Sequence, residues 1–476
     1  MALAYRGVSV LLLAPLMALL AALFSPGVPL LASYTQVFMP ALGAFVVAFF
    51  PLFLLGAVFG KLTEDSGAAR VIAQAIVAKL GAQHAILAIV LACAVLTYGG
   101  VSLFVVAFAV YPMASALFSE VDLPKRLIPG SIALGAFTFT MTALPGTPAI
   151  QNAIPMPYFG TTPFAAPGLG LIGGAVMLVL GTLWLVRRAA SAAAQGEGYG
   201  AHAQTLSPQE PMQHSLSPSL PQAAAGAPRR PAPAPQHPST PAPQHALARA
   251  LAPVVTVIVL NYLLATWLLP ALDTGYLADP QFGATTIDKV RGLWAVTLAL
   301  SAAIALLMSL QGPQLPRLSQ SLEQGATSSV MPLLNTASQV GFGAVIASLA
   351  GFALLRDWVL TITPDNPLVS VSIAVNLLAG ITGSASGGMS IALQTLGETW
   401  LAMGQAAGIA PELLHRVTAI ATGGLDALPH NGAVITLLGI CGLSHRQSYA
   451  DIFVVAVAIP VLALVVVTLG SAFGAF

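Results

Sequence analysis

The chain has 476 residues, of which 57% are hydrophobic and only 7% are charged, and its formal net charge is +1. An average soluble domain carries roughly 25% charged residues, so this composition excludes an ordinary soluble protein and indicates a surface that faces lipid. The near-neutral charge, without a basic patch interleaved with aromatic residues, gives no indication of a nucleic-acid partner.

Continuous apolar runs of helical length predict an all-α polytopic membrane protein rather than a β-barrel. The runs lie at about 8–24, 36–60, 84–118, 127–144, 168–188, 250–270, 292–310, 330–355, 368–403, 413–440 and 450–474. Several are too long or too interrupted for one straight helix of about 20 residues, so we expect about 10–14 membrane segments, including broken and re-entrant helices. The first run lacks a clear cleavage site and is read as a membrane helix.

A polar segment divides the chain. Between Arg187 and Arg249 the composition changes to Ala, Pro, Gln, Ser and His. Such a segment has too few bulky apolar residues to form a core, and its prolines favour extended, solvated conformations. We therefore expect a first membrane half at 1–188, a disordered linker at 189–248 and a second membrane half at 249–476. The flanking arginines place the linker in the cytoplasm by the positive-inside rule.

Polar, glycine-rich interruptions recur in the same order in both halves. The first half has them at 97–102 and 142–152, and the second half at 381–388 and 422–436. The later interruption of each half contains Ala-Leu-Pro, followed at the same offset by Ala and a β-branched residue. Paired interruptions of this kind are typical of transporters whose site lies between two repeats. We expect two repeat-related halves in inverted orientation. Whether they are inverted depends on whether each half has an odd or an even number of spans.

Broken helices at membrane depth offer free backbone amides to an anion and hydroxyl or amide side chains to a polar solute. The residues expected to bind substrate are Gly99, Gly100, Ser102, Gly146, Thr147, Gln151, Asn152, Thr382, Ser384, Ser386, Gly387, His430, Asn431 and Gly432. The alternative for any single Ser, Thr or Gly is close packing between membrane helices.

Asp426 and His430 are the residues expected to carry a coupled proton. Asp426 lies deep within an apolar run, where an acid is functional by default, and a histidine changes charge near neutral pH. The alternatives are an interfacial or paired Asp426 and a neutral, hydrogen-bonding His430.

The run Gly60-Lys61-Leu62-Thr63-Glu64-Asp65-Ser66-Gly67 predicts an interfacial or re-entrant helix after it, with its charges near the cytosolic surface. Together with Gly99-Gly100, the stretch 383–386 and the break at 429–432, it resembles the gluconate permease family of proton symporters. The resemblance implies proton-coupled uptake of small hydroxy- or ketocarboxylates across a bacterial inner membrane. It also implies inverted repeats, re-entrant hairpins and a homodimer.

The chain departs from the gluconate permease pattern at 97–100 and 144–152, and matches the later histidine-containing motif only loosely around Asp426 and His430. These departures favour an acid with fewer hydroxyl groups than gluconate.

The predicted function is therefore a proton symporter for a small organic carboxylate in a multi-pass bacterial inner membrane protein. Its expected partners are the carboxylate solute, protons and membrane lipid. Sodium coupling is the alternative within transport, because unwound carbonyls and hydroxyls also bind Na⁺. A membrane-embedded enzyme and a non-catalytic scaffold are the alternatives from other classes. The sequence shows no cluster of His, Cys and carboxylates at ligand spacing, so we expect no catalytic residue, metal or cofactor.

Overall fold

The structure is a computed structural model that describes residues 10–200, 244–311, 318–361 and 366–472. All regular elements in these ranges are helical. The first half comprises α1 (Val10–Leu23), α2 (Leu30–Asp65), α3 (Ala68–Leu80), α4 (Ala85–Tyr98), α5 (Leu103–Glu120), α6 (Ile128–Ala136), α7 (Phe139–Thr142), α8 (Ile150–Ala153), α9 (Pro155–Phe159) and α10 (Pro167–Ala194). The second half comprises α11 (His245–Ala271), α12 (Ile287–Gln311), α13 (Leu318–Ser348), α14 (Ala350–Thr361), α15 (Pro367–Thr382), α16 (Ala385–Ala406), α17 (Pro411–Ala421), α18 (Gly432–Cys441) and α19 (His445–Ser471).

Within the described ranges, seven helices are long and apolar enough to cross a membrane, namely α2, α5, α10, α11, α12, α13 and α19. Helices α3 and α4 form a further pair bent by 105°, and α1, α15 and α18 are shorter apolar helices. The prediction of an all-α polytopic membrane protein with broken and re-entrant segments is therefore confirmed.

The helices end at each of the four predicted interruptions. The first break, Gly99–Ser102, separates α4 from α5, and the second, 143–149, separates α7 from α8. The third break, Gly383–Ser384, separates α15 from α16, and the fourth, 422–431, separates α17 from α18. Glycines with positive φ stand at Gly100, Gly146 and Gly383, where an L side chain is disfavoured.

The order of elements in α2 to α10 recurs in α13 to α19: a long helix, a shorter one and then two interrupted segments before the last span. The two long helices, α2 and α13, pack closely because glycines bring their backbones together. Gly325 packs on Val58 and Gly341 packs on Phe38. Because the numbering rises along α13 as it falls along α2, the two helices run antiparallel, as corresponding members of inverted repeats do.

Two groups of helices meet at the breaks. Helices α1, α2, α12 and α13 pack together, while α6, α10, α15, α17 and α19 form a second group. Helix α16 packs on α13, and α9 packs on α12, so these contacts join the groups.

The helices extend beyond the expected linker boundaries at both ends. Helix α10 runs to Ala194 because residues 189–194 are mostly alanine, the strongest helix former. Beyond it, Tyr199 is buried, and its backbone N–H donates to Asp122 Oδ1 at 2.8 Å. Helix α11 already includes His245. Residues 201–243 of the expected linker lie outside the described residues.

Candidate functional site

The first and second breaks contact each other. Tyr98 Oη donates a hydrogen bond to Pro145 O at 2.6 Å. Gly100 has φ +93°, and a β-carbon built there would lie 3.0 Å from Pro148 Cγ. Gly99 is buried, and a β-carbon there would lie 2.5 Å from Val254 on α11. This junction therefore requires glycine for both conformation and close packing.

The second break is held by hydrogen bonds to its backbone N–H and C=O groups. Gly146 N donates to Pro163 O at 2.9 Å, and Gly146 O accepts from Asn261 Nδ2 at 3.2 Å. Thr147 Oγ1 accepts from Ala149 N at 3.3 Å, just before α8 begins. Gln151 differs, because its Oε1 is buried and has no hydrogen-bond partner among the described residues. Of this group, Gln151 is the residue whose polar atom remains available to a ligand.

The third break forms the tip of the α15–α16 hairpin. Ser384 Oγ accepts from Gly387 N at 3.1 Å and so caps the N-terminus of α16. Thr382 Oγ1 donates back to Leu378 O at 2.8 Å. The Ser386 hydroxyl lies 3.2 Å from that of Thr336 on α13. The hairpin tip thus gathers hydroxyl groups against α13.

Gly387 and Ser102 connect the breaks to the long helices. Gln339 of α13 lies directly against Gly387, where a β-carbon would be only 1.5 Å from Gln339 Oε1. That oxygen is buried without a hydrogen-bond partner in the described part of the chain. In the first half, the backbone of Ser102 lies beside Gly60 of α2. The interrupted segments therefore abut the antiparallel α2–α13 pair on both sides.

The fourth break is joined to the third. His430 Nε2 lies 3.0 Å from Gly380 O, and Asn431 Nδ2 donates to Gly383 O at 3.0 Å. Asn431 Oδ1 accepts from Ala433 N and caps α18. Gly432 has no atom within 4 Å of a β-carbon built there. His430 and Asn431 are therefore fixed by the hairpin, whereas Gly432 faces open space.

Asp426 lies in a single 3₁₀ turn, Leu425–Ala427, inside the fourth break. Leu425 N donates to Asn376 Oδ1 at 3.2 Å, which anchors this turn to α15. Asp426 Oδ1 is buried and has no hydrogen-bond partner among the described residues. A carboxylate oxygen in this position is costly unless it is protonated or receives a donor.

The two halves meet at Arg416 and His415 on α17, which are not among the residues expected to bind substrate or to carry a proton. Arg416 is fully buried, and its guanidinium donates to Ala165 O, Pro163 O and Asn152 Oδ1 at 2.8 to 3.0 Å. His415 Nε2 lies 3.1 Å from the same Asn152 oxygen, and its Nδ1 lies 2.6 Å from Thr161 Oγ1. All partners in these hydrogen bonds are neutral.

A signal for Arg416 was present in the sequence, because a charged residue inside a membrane segment is expensive and functional by default. From the sequence, Arg416 lies just inside an apolar run, where it either anchors at the surface or attracts an anion to the cavity. The structure shows that α17 is short and enters the interior at its N-terminal half, which carries Arg416 to the second break.

A second buried acid, Asp451 in α19, also lies within a predicted apolar run. Its carboxylate accepts from Arg126 Nη1 and Arg188 Nε, both at 2.9 Å, and from Trp184 Nε1 at 3.2 Å. Arg126 also pairs with Glu197 at 2.7 Å. Unlike Asp426, Asp451 is charge-paired and joins α10, α19 and the loop before α6.

The four breaks are therefore connected in a series: the first to the second through Tyr98, the second to the fourth through Thr142 and Gly423, and the fourth to the third through Asn431. Within the described ranges, no three His, Cys, Asp or Glu side chains come together as ligands for a metal ion. The site offers instead hydroxyls, amides, one unpartnered carboxylate oxygen and one buried guanidinium.

Comparison with known proteins decides the family. The chain is 43% identical over 457 residues to the uncharacterized transporter YxjC of Bacillus subtilis, with 95% of this chain and 92% of YxjC covered. The chain belongs to the same transporter family as YxjC. No protein-family model matches it.

The fold of this YxjC-family transporter is similar to that of a solved structure. The crystal structure of the YdaH transporter of Alcanivorax borkumensis, described as having an unusual topology, superposes with a TM-score of 0.58. The match covers 98% of this chain and 97% of YdaH at 15% sequence identity. The expected membrane transporter is confirmed, whereas the resemblance to the gluconate permease family, the carboxylate substrate and the proton coupling stay predictions.

Proposed function

We propose that this YxjC-family transporter is a proton symporter for a small organic carboxylate in the bacterial inner membrane. The observation that carries the proposal is the presence of two opposite chemical groups at connected breaks. Asp426 Oδ1 is buried without a partner among the described residues, and Arg416 is buried among neutral acceptors. The Asp426 carboxyl group suits a proton carrier, and the Arg416 guanidinium suits the binding of an anion.

A buried positive charge at the breaks favours an anionic solute. A guanidinium in the interior keeps its full charge, and carbonyl and amide oxygens satisfy its hydrogen bonds without neutralising it. The connected breaks therefore carry a positive potential that attracts a carboxylate and repels a cation. The nearby helix N-termini of α8, α16 and α18 add partial positive charge in the same region.

Asp426 is the group suited to carry the coupled proton. A carboxyl group that is protonated when the site is closed and ionised when it is open to water transfers one proton per cycle. The 3₁₀ turn that carries Asp426 is attached to α15 through Asn376, so a movement of the hairpin also moves the carboxyl group. His430 is a weaker candidate for this role because its ring already lies against Gly380 O.

A specific observation favours sodium coupling as the second candidate. Thr382 Oγ1 lies 3.1 Å from Ser384 O, and the hydroxyls of Ser384, Ser386 and Thr336 form a contiguous group. Unwound carbonyls and hydroxyls of this kind also bind Na⁺ in broken-helix transporters.

The test is uptake into proteoliposomes. Labelled carboxylates of three to six carbons are supplied under an imposed pH gradient, with and without sodium and with and without a protonophore. Protein-free vesicles measure the passive entry of the neutral acids. We expect saturable uptake that the protonophore abolishes. Uptake that requires sodium and resists the protonophore would contradict proton coupling and support the second candidate.

A further inference from the structure

A buried histidine lies beside the guanidinium that is suited to an anion. His415 and Arg416 are both fully buried on α17. Both contact Asn152 Oδ1, which lies 3.1 Å from His415 Nε2 and 3.0 Å from Arg416 Nη1. Because the two groups share one oxygen atom, a charge on either of them acts at short range on the other. The symport proposed above assigns no role to His415.

The neighbours of His415 fix which of its nitrogens carries a hydrogen. Asn152 Nδ2 donates to two carbonyl oxygens, Thr147 O and Pro163 O, so the atom that faces His415 is the amide oxygen. His415 Nε2 lies against this oxygen and therefore donates a hydrogen to it. Nδ1 lies 2.6 Å from Thr161 Oγ1 and, in a neutral ring, accepts the hydrogen of that hydroxyl group.

The same two contacts also suit a protonated ring. A hydroxyl group both donates and accepts, so Thr161 Oγ1 accepts from Nδ1 once the ring has gained a proton there. Nε2 donates to Asn152 in both states. His415 can therefore change its charge without losing either hydrogen bond and without moving its ring.

Arg416 is the charged side chain that acts on the His415 ring among the described residues, and Tyr98 of α4 in turn acts on Arg416. On α17 itself, Glu412 is exposed. The helices packed against α17 carry further titratable groups, namely Tyr158 on α9, Arg187 and Arg188 on α10, Glu398 on α16, and His445, Arg446, Tyr449 and Asp451 on α19. The two acids in this set are accounted for, since Glu398 is exposed and Asp451 pairs with arginines. A negative charge beside His415 must therefore come from the solute.

Arg416 has one donor left for such a solute. Its guanidinium has five N–H groups and makes four hydrogen bonds, two from Nη2 and one each from Nε and Nη1. Within the described ranges, the second N–H of Nη1 has no acceptor. A carboxylate bound there lies near the His415 ring, because Nη1 and Nε2 contact the same Asn152 oxygen. An opposite charge within about 4–6 Å favours the charged form of a titratable group.

We propose that His415 is a second proton-binding site, which takes up a proton on Nδ1 when the carboxylate of the solute binds to Arg416. The proton comes from the water on the side where the solute enters, and it is released with the solute on the other side. The inference rests on the carboxylate–proton symport proposed above and adds its stoichiometry. With one proton on Asp426 and one on His415, each monovalent carboxylate crosses with two protons, and each cycle moves one net positive charge.

The test measures whether the membrane potential drives uptake. Sodium-free proteoliposomes at equal pH receive labelled lactate, 3-hydroxybutanoate or gluconate under a potassium diffusion potential, negative inside. For wild type, a potential of about 100 mV acting on one net charge is expected to raise the accumulation ratio by up to about fiftyfold. His415→Gln keeps an N–H group for Asn152 but cannot gain a proton, so its accumulation is expected to follow a pH gradient and to be independent of the potential. His84→Gln, at an exposed position, is the matched control and is expected to behave as wild type.

Wild-type accumulation that responds to a pH gradient but not to the potential would overturn the inference and leave the proposed function standing. Equal potential-driven accumulation by His415→Gln and wild type would do the same. If His415→Gln does not fold, the protons taken up when these carboxylates bind to Asp426→Asn in detergent decide, measured with a pH-sensitive dye. One proton per bound carboxylate is expected, and none would overturn the inference. A wild type that transports none of these carboxylates above protein-free vesicles would overturn the proposed function, and the inference with it.

Discussion

Arg416 Nη1 donates a hydrogen bond of 3.0 Å to Asn152 Oδ1, across a sequence separation of 264 residues. The ring of His415 lies against the same oxygen, so one amide of the first half holds two residues of the second. The Asn152 Nδ2 group in turn donates to Thr147 O and Pro163 O, which fixes the second break. Asn152 therefore acts as the joint between the two halves.

Arg416→Lys is expected to weaken this joint although it preserves the charge. A single ammonium cannot reach all the acceptors on Ala165, Pro163 and Asn152, and each hydrogen bond from a charged group contributes about 1.5–3 kcal/mol. We expect a loss of about 3 kcal/mol or more in the free energy of unfolding, measured as a lower melting temperature in detergent. Arg70→Lys, at an exposed position of α3, is the control. Equal melting temperatures for the two variants would show that the guanidinium geometry is not needed.

The hairpin tip is expected to tolerate no side chain at Gly388. A β-carbon there would lie 2.2 Å from Ala379 N, a backbone atom that cannot move aside. At Gly387 the obstacle is the end of the Gln339 side chain, which can rotate. We therefore expect Gly388→Ala to lower the melting temperature and abolish uptake, and Gly387→Ala to impair uptake with a smaller effect on folding.

Gly432→Ala is the matched control for the hairpin substitutions. Its β-carbon would meet open space at the start of α18, and alanine is favoured over glycine in a helix by about 0.5–1 kcal/mol. We expect unchanged or slightly raised stability, in contrast to Gly388→Ala. A loss of uptake in Gly432→Ala would instead assign this glycine a direct role in the transport cycle.

Asp426→Asn is expected to uncouple transport from the proton gradient. The amide is close in shape to the protonated acid but cannot release a proton, so net uptake driven by a pH gradient should fall to the level of protein-free vesicles. Exchange of labelled for unlabelled substrate at equal pH should persist, because it does not need deprotonation. Proton-driven uptake by Asp426→Asn at the wild-type rate would exclude Asp426 as the coupling residue.

We expect the ion pairs around Asp451 to contribute to the stability of the fold rather than to the transport cycle. Removing one partner of a buried ion pair costs about 3–5 kcal/mol, and because Arg126 and Arg188 are partly exposed we expect a value at or below the lower end for Asp451→Asn. Measurement of the melting temperature at low and high salt checks this. An unchanged melting temperature in Asp451→Asn would contradict it.

Glu197 makes the stability that this ion-pair cluster contributes depend on pH. A hydrogen bond from Arg126 lowers the pKa of Glu197 below its ordinary value. Partial burial opposes this shift, and the charge of the same guanidinium adds to it. Because the folded pKa is the lower one, the stabilisation is complete above the unfolded pKa of about 4.3 and is lost as the pH falls through the folded pKa. We expect wild type to exceed Glu197→Gln in stability at neutral pH by about 0–1 kcal/mol, as for other exposed pairs, and the difference to vanish in acid. Melting temperatures across this pH range check it, and a difference that grows on acidification would contradict the assignment.

Much of the candidate site was predictable from local sequence. Glycine, proline and hydroxyl residues at 99–102, 143–149, 382–388 and 422–432 interrupt apolar runs, and the helices do end there. The N-terminal caps of α16 and α18 also depend on neighbouring residues alone, since Ser384 and Asn431 accept hydrogen bonds from backbone amides two or three residues ahead. The predicted end of the first membrane half fell before the end of α10, because alanine occurs as readily in a helix as in a polar linker.

The sequence by itself determined the membrane class, the paired breaks and the deep acid Asp426, because apolar length, helix breaking and the cost of a buried charge are properties of short segments. The tertiary structure alone decided which groups face each other. Arg416 reaches Asn152, and Gln339 reaches Gly387, through the packing of helices that are distant in the chain. A single sequence holds no record of such contacts, since many partners satisfy the same hydrogen-bonding and packing needs of each residue.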